Sequence, residues 1–76
     1  MIYVKMVGGP VFNVQFSEGI TAETVIQSIK DENSFEFRGN YTFQDTITGT
    51  MLPDTEILID GRLYFLNVFA LKRQQV

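Results

Sequence analysis

The first third of the chain places two short alternating segments on either side of a glycine pair and follows them with an amphipathic segment. Residues 1–7 and residues 10–16 each alternate apolar with polar side chains, and Gly8-Gly9 lies between them. Because glycine readily takes the positive φ values of a tight turn, this layout predicts an antiparallel hairpin. Two such strands share one apolar face, which needs a cover.

The next segment has the pattern of a covering helix. Thr21 is a residue type that commonly caps a helix N-terminus. Apolar residues then recur at spacings of three, four and seven, the period of one apolar helix face, at Ala22, Val25, Ile26 and Ile29. The pattern predicts a helix over about residues 21–32 that is ended by Asn33 and Ser34.

The second half of the chain contains further strand signals. Residues 41–48 alternate again, and the carboxylate of Asp45 on the apolar face predicts a bulge or strand end there. Residues 62–71 are apolar on both faces, which is typical of a strand at the centre of a sheet. Met51-Leu52 predicts a short edge strand, and residues 38–40 have the composition of a turn.

Composition excludes several classes of function. The 76 residues include no Cys and no His, so disulfides, thiolate chemistry, imidazole catalysis and the commonest zinc sites are ruled out. Nine acidic against six basic residues give a net charge of −3, which argues against a nucleic-acid partner. No apolar run approaches the roughly 20 residues of a membrane-spanning helix. We expect a cytoplasmic or nuclear protein with no metal and no cofactor.

The residue types that remain also disfavour catalysis. A nucleophile needs a base beside it, and here that base would have to be Asp, Glu, Lys or Tyr. A chain of 76 residues leaves little volume for a cleft once its core is filled. Gly8-Gly9 is not followed by the Gly-Lys-Ser/Thr of a phosphate-binding loop. The sequence therefore predicts that the protein is not an enzyme and has no catalytic residues.

The order of hairpin, helix, irregular stretch and central closing strand resembles the ubiquitin-like β-grasp family. Ile2-Tyr3-Val4-Lys5 is similar to ubiquitin's opening Ile-Phe-Val-Lys, and Thr21-Ala22-Glu23-Thr24-Val25 is similar to its Thr-Ile-Glu-Asn-Val. The two sequences align from residue 2 to residue 31 without a gap. The resemblance implies a single α+β domain over residues 1–76, a ubiquitin-like β-grasp in which one helix covers a mixed sheet of four to five strands.

The end of the sequence departs from the conjugated members of that family. Ubiquitin-like modifiers and the related sulfur carriers finish in Gly-Gly, whereas this sequence finishes Leu71-Lys72-Arg73-Gln74-Gln75-Val76. The resemblance therefore implies a non-conjugating interaction module, such as an adaptor or a regulatory subunit. A stand-alone small inhibitor or mimic, viral or phage-like, that occupies a host protein surface is a second interpretation. A self-associating β protein that pairs through an edge near Met51-Leu52 is a third.

Ubiquitin-like proteins commonly bind partners through the sheet face that the helix leaves open. The resemblance and the alternation of the strands together place six candidate partner-binding residues there: Tyr3, Lys5, Thr42, Gln44, Leu66 and Val68. A shift of one residue in the facing of the last strand would instead assign Leu66 and Val68 to the core. We expect the partner to be another protein, bound by a monomer, with no nucleic acid and no membrane involved.

Overall fold

The computed structural model describes residues 1–36, 41–69 and 72–73. The turn predicted at residues 38–40, the end of the predicted last strand at 70–71 and the tail at 74–76 lie outside the described residues. The elements in chain order are β1 (Ile2–Met6), β2 (Val11–Val14), α1 (Ala22–Asn33), β3 (Phe35–Glu36), β4 (Tyr41–Asp45), β5 (Leu63–Val68) and β6 (Lys72–Arg73). They form an α+β arrangement.

Four of the strands form one mixed sheet in the order β2-β1-β5-β4. β1 pairs antiparallel with β2, as the glycine pair predicted, and Gly8 in their connection has a φ of 78°. β5 lies between β1, to which it is parallel, and β4, to which it is antiparallel. The prediction of a central last strand is therefore confirmed. A separate two-stranded sheet joins β3 to β6.

The edge strand predicted at Met51-Leu52 is reduced to one isolated bridge at Met51. The segment still covers the outer edge of β4 with backbone hydrogen bonds. The Leu52 N–H donates to the Phe43 carbonyl at 2.7 Å, and the Asp45 N–H donates to the Thr50 carbonyl at 3.0 Å. β4 is thus an edge strand, and this segment satisfies outward backbone groups of its Phe43 and Asp45.

Both ends of α1 are capped, which explains its bounds. The Thr21 hydroxyl accepts a hydrogen bond from the Thr24 N–H at 3.4 Å, as predicted for an N-cap. At the other end, Ser34 takes a left-handed conformation and its N–H donates to the Lys30 carbonyl. Among the described residues, no helix combines the length and the hydrophobicity that crossing a lipid bilayer requires. The buried helix face is the predicted one: Ala22, Val25, Ile26 and Ile29.

α1 packs against one face of the four-stranded sheet, and the core lies between them. The rings of Phe43 and Tyr64 stack there with centroids 5.2 Å apart and planes 17° apart. The Tyr64 hydroxyl accepts a hydrogen bond from the Ile59 N–H at 3.0 Å, so its polar atom is satisfied within the core. The other buried apolar strand residues of this face are Ile2, Val4, Met6, Val14 and Leu66.

Leu66 and Val68 belong to this helix-covered face, so the prediction that they line the open face is wrong. Leu66 is fully buried, and Val68 is half-buried and packs against the core. β5 is apolar on both sides, and its own alternation therefore does not identify which side the helix covers. Pairing with β1 determines which side of β5 the helix covers, because it sets Leu66 beside the buried Met6 and Phe65 beside Lys5.

Candidate partner-binding surface

The sheet face that turns away from α1 carries exposed and half-buried side chains, and we call it the open face. Residues paired across neighbouring strands have their side chains on the same side of a sheet. The pairing therefore defines adjacent rows across the strands. One row contains Asn13, Tyr3 and Leu63, the next contains Val11, Lys5, Phe65, Gln44 and Met51, and a third contains Asn67 and Thr42.

The centre of the open face is apolar. Tyr3 is 38% exposed, and Leu63 and Phe65 are each 37% exposed. Val11 on β2 and Met51 beside β4 are 53% and 57% exposed and extend the surface on both sides. Contiguous apolar surface of this kind marks contact sites more often than scattered single residues do.

Charged side chains are scarce on this sheet. The strands β1, β2, β4 and β5 contain two, Lys5 and Asp45. Asp45 is buried on the helix side, where its carboxylate accepts a hydrogen bond from Arg62 at 2.8 Å. Lys5 is half-buried, and its Nζ donates to the Gly9 carbonyl. Depletion of charge combined with aromatic side chains is typical of the centre of a protein interface.

Four of the six predicted partner-binding residues lie on the open face. Tyr3 is exposed, whereas the other three are half-buried: Lys5, Thr42 and Gln44. The Gln44 Nε2 donates to the Gly49 carbonyl at 3.0 Å, which holds this side chain along β4. The structure therefore places these four on one face, on the strands β1 and β4 that flank β5, and separates them from Leu66 and Val68 on the other face.

Sequence reasoning missed Leu63 and Phe65, the two apolar open-face residues of β5. A signal for them was present in Asn67, the one polar side chain of a strand that is otherwise apolar. Asn67 pairs with Thr42 and shares the face of Leu63 and Phe65. A polar residue in such a strand indicates the side nearer to solvent.

A shallow groove of about 310 Å³ runs beside β4, lined by Tyr41, Thr42, Phe43, Met51, Leu52, Pro53 and Asp54. In it, the Tyr41 hydroxyl donates to Oδ1 of Asp54 at 2.7 Å. Burial of the phenol, the hydrogen bond to Asp54 and the negative charges of Asp54 and Glu23 raise the pKa of Tyr41 to about 12. A phenol that holds its proton this firmly is a poor general base.

No protein-family model and no curated protein matches this sequence. Within the described part of the chain, no three Asp or Glu side chains are grouped so that they could hold a metal ion.

Proposed function

We propose that the protein is a non-catalytic protein–protein interaction module of the ubiquitin-like type, which binds a partner through its open face and is not conjugated to targets. The observation that carries the proposal is the exposed apolar centre of that face, formed by Tyr3, Leu63 and Phe65. Support for a β-grasp fold comes from the hairpin, the helix packed on one sheet face and the central closing strand β5.

The three central residues are held by strands whose other face is core. Tyr3 follows the buried Ile2, and Phe65 precedes the fully buried Leu66. Their backbones are therefore ordered before a partner arrives, which lowers the entropy that binding must overcome. Tyr and Phe also offer a large contact area for few rotatable bonds.

The charge of the open face indicates what the partner presents. Lys5 is the one charged side chain among its rows, beside Phe65, although the whole chain has a net charge of −3. A partner with an apolar centre and a carboxylate near Lys5 fits this distribution. The ion pair would orient the complex and raise its association rate more than its affinity.

The test is affinity capture from a cell lysate with three forms of the protein. The wild type is compared with the double variant Leu63→Thr/Phe65→Thr, because threonine removes apolar surface and keeps a high β-propensity. The matched control is Ile57→Thr/Ile59→Thr, since these residues are 63% and 52% exposed and lie outside the sheet. We expect the same partner with the wild type and the control, and its loss with the double variant.

Circular dichroism and thermal unfolding check that each variant remains folded. A folded Leu63→Thr/Phe65→Thr variant that captures the same partner as the wild type would contradict the assignment of the open face. Equal loss of capture by both double variants would indicate general apolar adhesion and would contradict it as well.

A further inference from the structure

The two edges of the four-stranded sheet differ in whether another segment of the chain covers their outward backbone groups. The outer edge of β4 is covered by the segment around Leu52, whose N–H donates to the Phe43 carbonyl. β2 forms the opposite edge, and in the part of the chain that the structure describes no strand pairs with its outer side. An uncovered edge strand presents backbone donors and acceptors that can pair with another strand.

The hydrogen-bond pattern identifies which backbone groups of β2 point outward. The Met6 N–H donates to the Pro10 carbonyl at 3.0 Å, so these two residues form a hydrogen-bonded pair at the start of the β1–β2 ladder. Such pairs alternate along an antiparallel ladder. The intervening residues Val11 and Asn13 therefore direct their N–H and C=O groups away from β1.

This edge has few of the features that protect natural sheets from edge pairing. The pairing of β2 with β1 runs without a bulge, and the strand contains no proline. The sequence has no charged residue between Lys5 and Glu18, and the Lys5 ammonium donates to the Gly9 carbonyl. Val11, 53% exposed, adds apolar surface beside the outward groups. Lysine, proline and bulges are the usual protections on exposed edges.

We propose that β2 pairs antiparallel with β2 of a second copy of this chain, about a two-fold axis, so that two four-stranded sheets become one continuous sheet. Val11 of each copy lies opposite Asn13 of the other, and the two pairs exchange backbone hydrogen bonds. Two-fold pairing sets the same strand against itself, so it requires an edge without net charge. It also joins the open faces of the two copies across the axis.

The expected association is weak. The pairing strand has 4 residues, and its contact is smaller than the roughly 1,200 Å² at the lower bound for specific, stable interfaces. The protein is then a monomer in dilute solution, as the sequence led us to expect, and forms dimers as its concentration approaches about 1 mM.

The experiment is sedimentation of the full chain over a range of concentrations, with two edge variants and a control. Val11→Lys/Asn13→Lys and Val11→Glu/Asn13→Glu each place like charges opposite one another in any register of the two strands. We expect each to weaken dimerisation by at least about fivefold, and an equimolar mixture of the two to recover it as a heterodimer. The control Ile57→Lys/Ile59→Lys changes the net charge by the same amount as the Lys edge variant, leaves the edge intact and is expected to dimerise like the wild type.

Three results would overturn the proposal: a wild type that shows no concentration dependence up to about 1 mM, a mixture that stays monomeric, or loss of dimerisation in Leu63→Thr/Phe65→Thr. The last result would assign self-association to the open face. Where an edge variant does not fold, amide hydrogen exchange of the wild type tests edge pairing instead. Dimerisation protects the amides of Val11 and Asn13 as concentration rises, and unchanged exchange at both would refute edge pairing.

Discussion

Arg62 donates from Nη1 to Oδ2 of Asp45 across 2.8 Å and so ties the residue before β5 to the last residue of β4. Asp45 is 7% exposed and is the one buried charged residue among the side chains whose burial the structure describes, in residues 1–34 and 41–69. Its other oxygen accepts a hydrogen bond from the Ile47 N–H at 2.8 Å. The strand end predicted at Asp45 is therefore confirmed, because a carboxylate on the core face needs polar partners that a continuing strand would not supply.

We expect Asp45 to contribute to the loss of stability at acid pH. The hydrogen bond from the Ile47 backbone, and after it the contact with Arg62, lower the pKa of Asp45 below its ordinary value of 3.8, although burial opposes the shift. A carboxyl group whose pKa is lowered by folding stabilises the folded state fully above its unfolded pKa and progressively less as pH falls through its folded pKa. Urea unfolding of Asp45→Asn should therefore show lower stability at neutral pH and a shallower decline below about pH 4 than the wild type.

The matched control for this experiment is Glu18→Gln, which removes an exposed carboxylate outside the strands and the helix. It is expected to keep the neutral-pH stability and the acid-limb slope of the wild type. An Asp45→Asn variant with the wild-type slope below about pH 4 would show that other carboxylates account for the acid sensitivity.

The two faces of β5 are expected to differ in what a leucine truncation costs. Leu66→Ala removes a fully buried side chain and leaves a cavity, so it should lower the free energy of unfolding by about 2–5 kcal/mol. Leu63→Ala makes the same chemical change on the open face, where the side chain is 37% exposed, and should cost less than about 1.5 kcal/mol. Urea denaturation measures both, and equal losses would contradict the assignment of the faces.

The faces of the hairpin could be predicted from the sequence because polar residues mark its solvent side. Lys5 on β1 and Asn13 on β2 alternate with apolar residues, and the structure pairs each with another open-face residue. The helix followed equally well from its apolar period and the Thr21 cap, and its observed end at Asn33 lies one residue beyond the predicted 32. Here local pattern and tertiary structure agree.

Two other features could not be predicted, for separate physical reasons. β5 has one polar residue, Asn67, so its facing depends on pairing with β1, a contact distant in sequence. β3 and β6 have two residues each, too few for any period to appear. Their pairing sets Phe35 opposite Arg73, which joins residues from the two halves of the chain. Because the facing of β5 was ambiguous, the sequence predicted Leu66 and Val68 on the open face, where the structure has Leu63 and Phe65.

The Tyr41–Asp54 hydrogen bond has an expected signature in alkaline titration. Burial, then the hydrogen bond and charge of Asp54, raise the pKa of Tyr41 from 10.0 to about 12. Asp54→Asn removes the charge and leaves the burial, so the pKa should fall but remain above 10.0. NMR titration of the tyrosine ring carbons resolves Tyr41 from the other tyrosines, and Glu18→Gln is the control that should leave the value unchanged.

The raised pKa of Tyr41 also predicts how the stability of the fold changes at alkaline pH. A phenol whose pKa is raised by folding stabilises the folded state fully below its unfolded pKa and loses that contribution as pH rises through its folded pKa. The wild type should therefore lose stability between pH 10.0 and about 12, and Asp54→Asn should lose less over the same interval. An Asp54→Asn variant that keeps the pKa of Tyr41 near 12 would contradict the role given to the hydrogen bond.

Ser34 ends α1 in a left-handed conformation, with φ of 55°, and is the one non-glycine residue of positive φ in the described part of the chain. A side chain at such a position is strained, whereas glycine is not, so Ser34→Gly should raise the free energy of unfolding by about 0.5–1 kcal/mol. The control Asn33→Gly places the same residue inside the helix and removes the bond from Asn33 Nδ2 to the Ile29 carbonyl, so it should cost about 1 kcal/mol or more. The midpoint temperatures of thermal unfolding of the two variants should shift in opposite directions from that of the wild type. Destabilisation by both would mean that the Ser34 side chain stabilises the turn into β3 by more than its backbone strain costs.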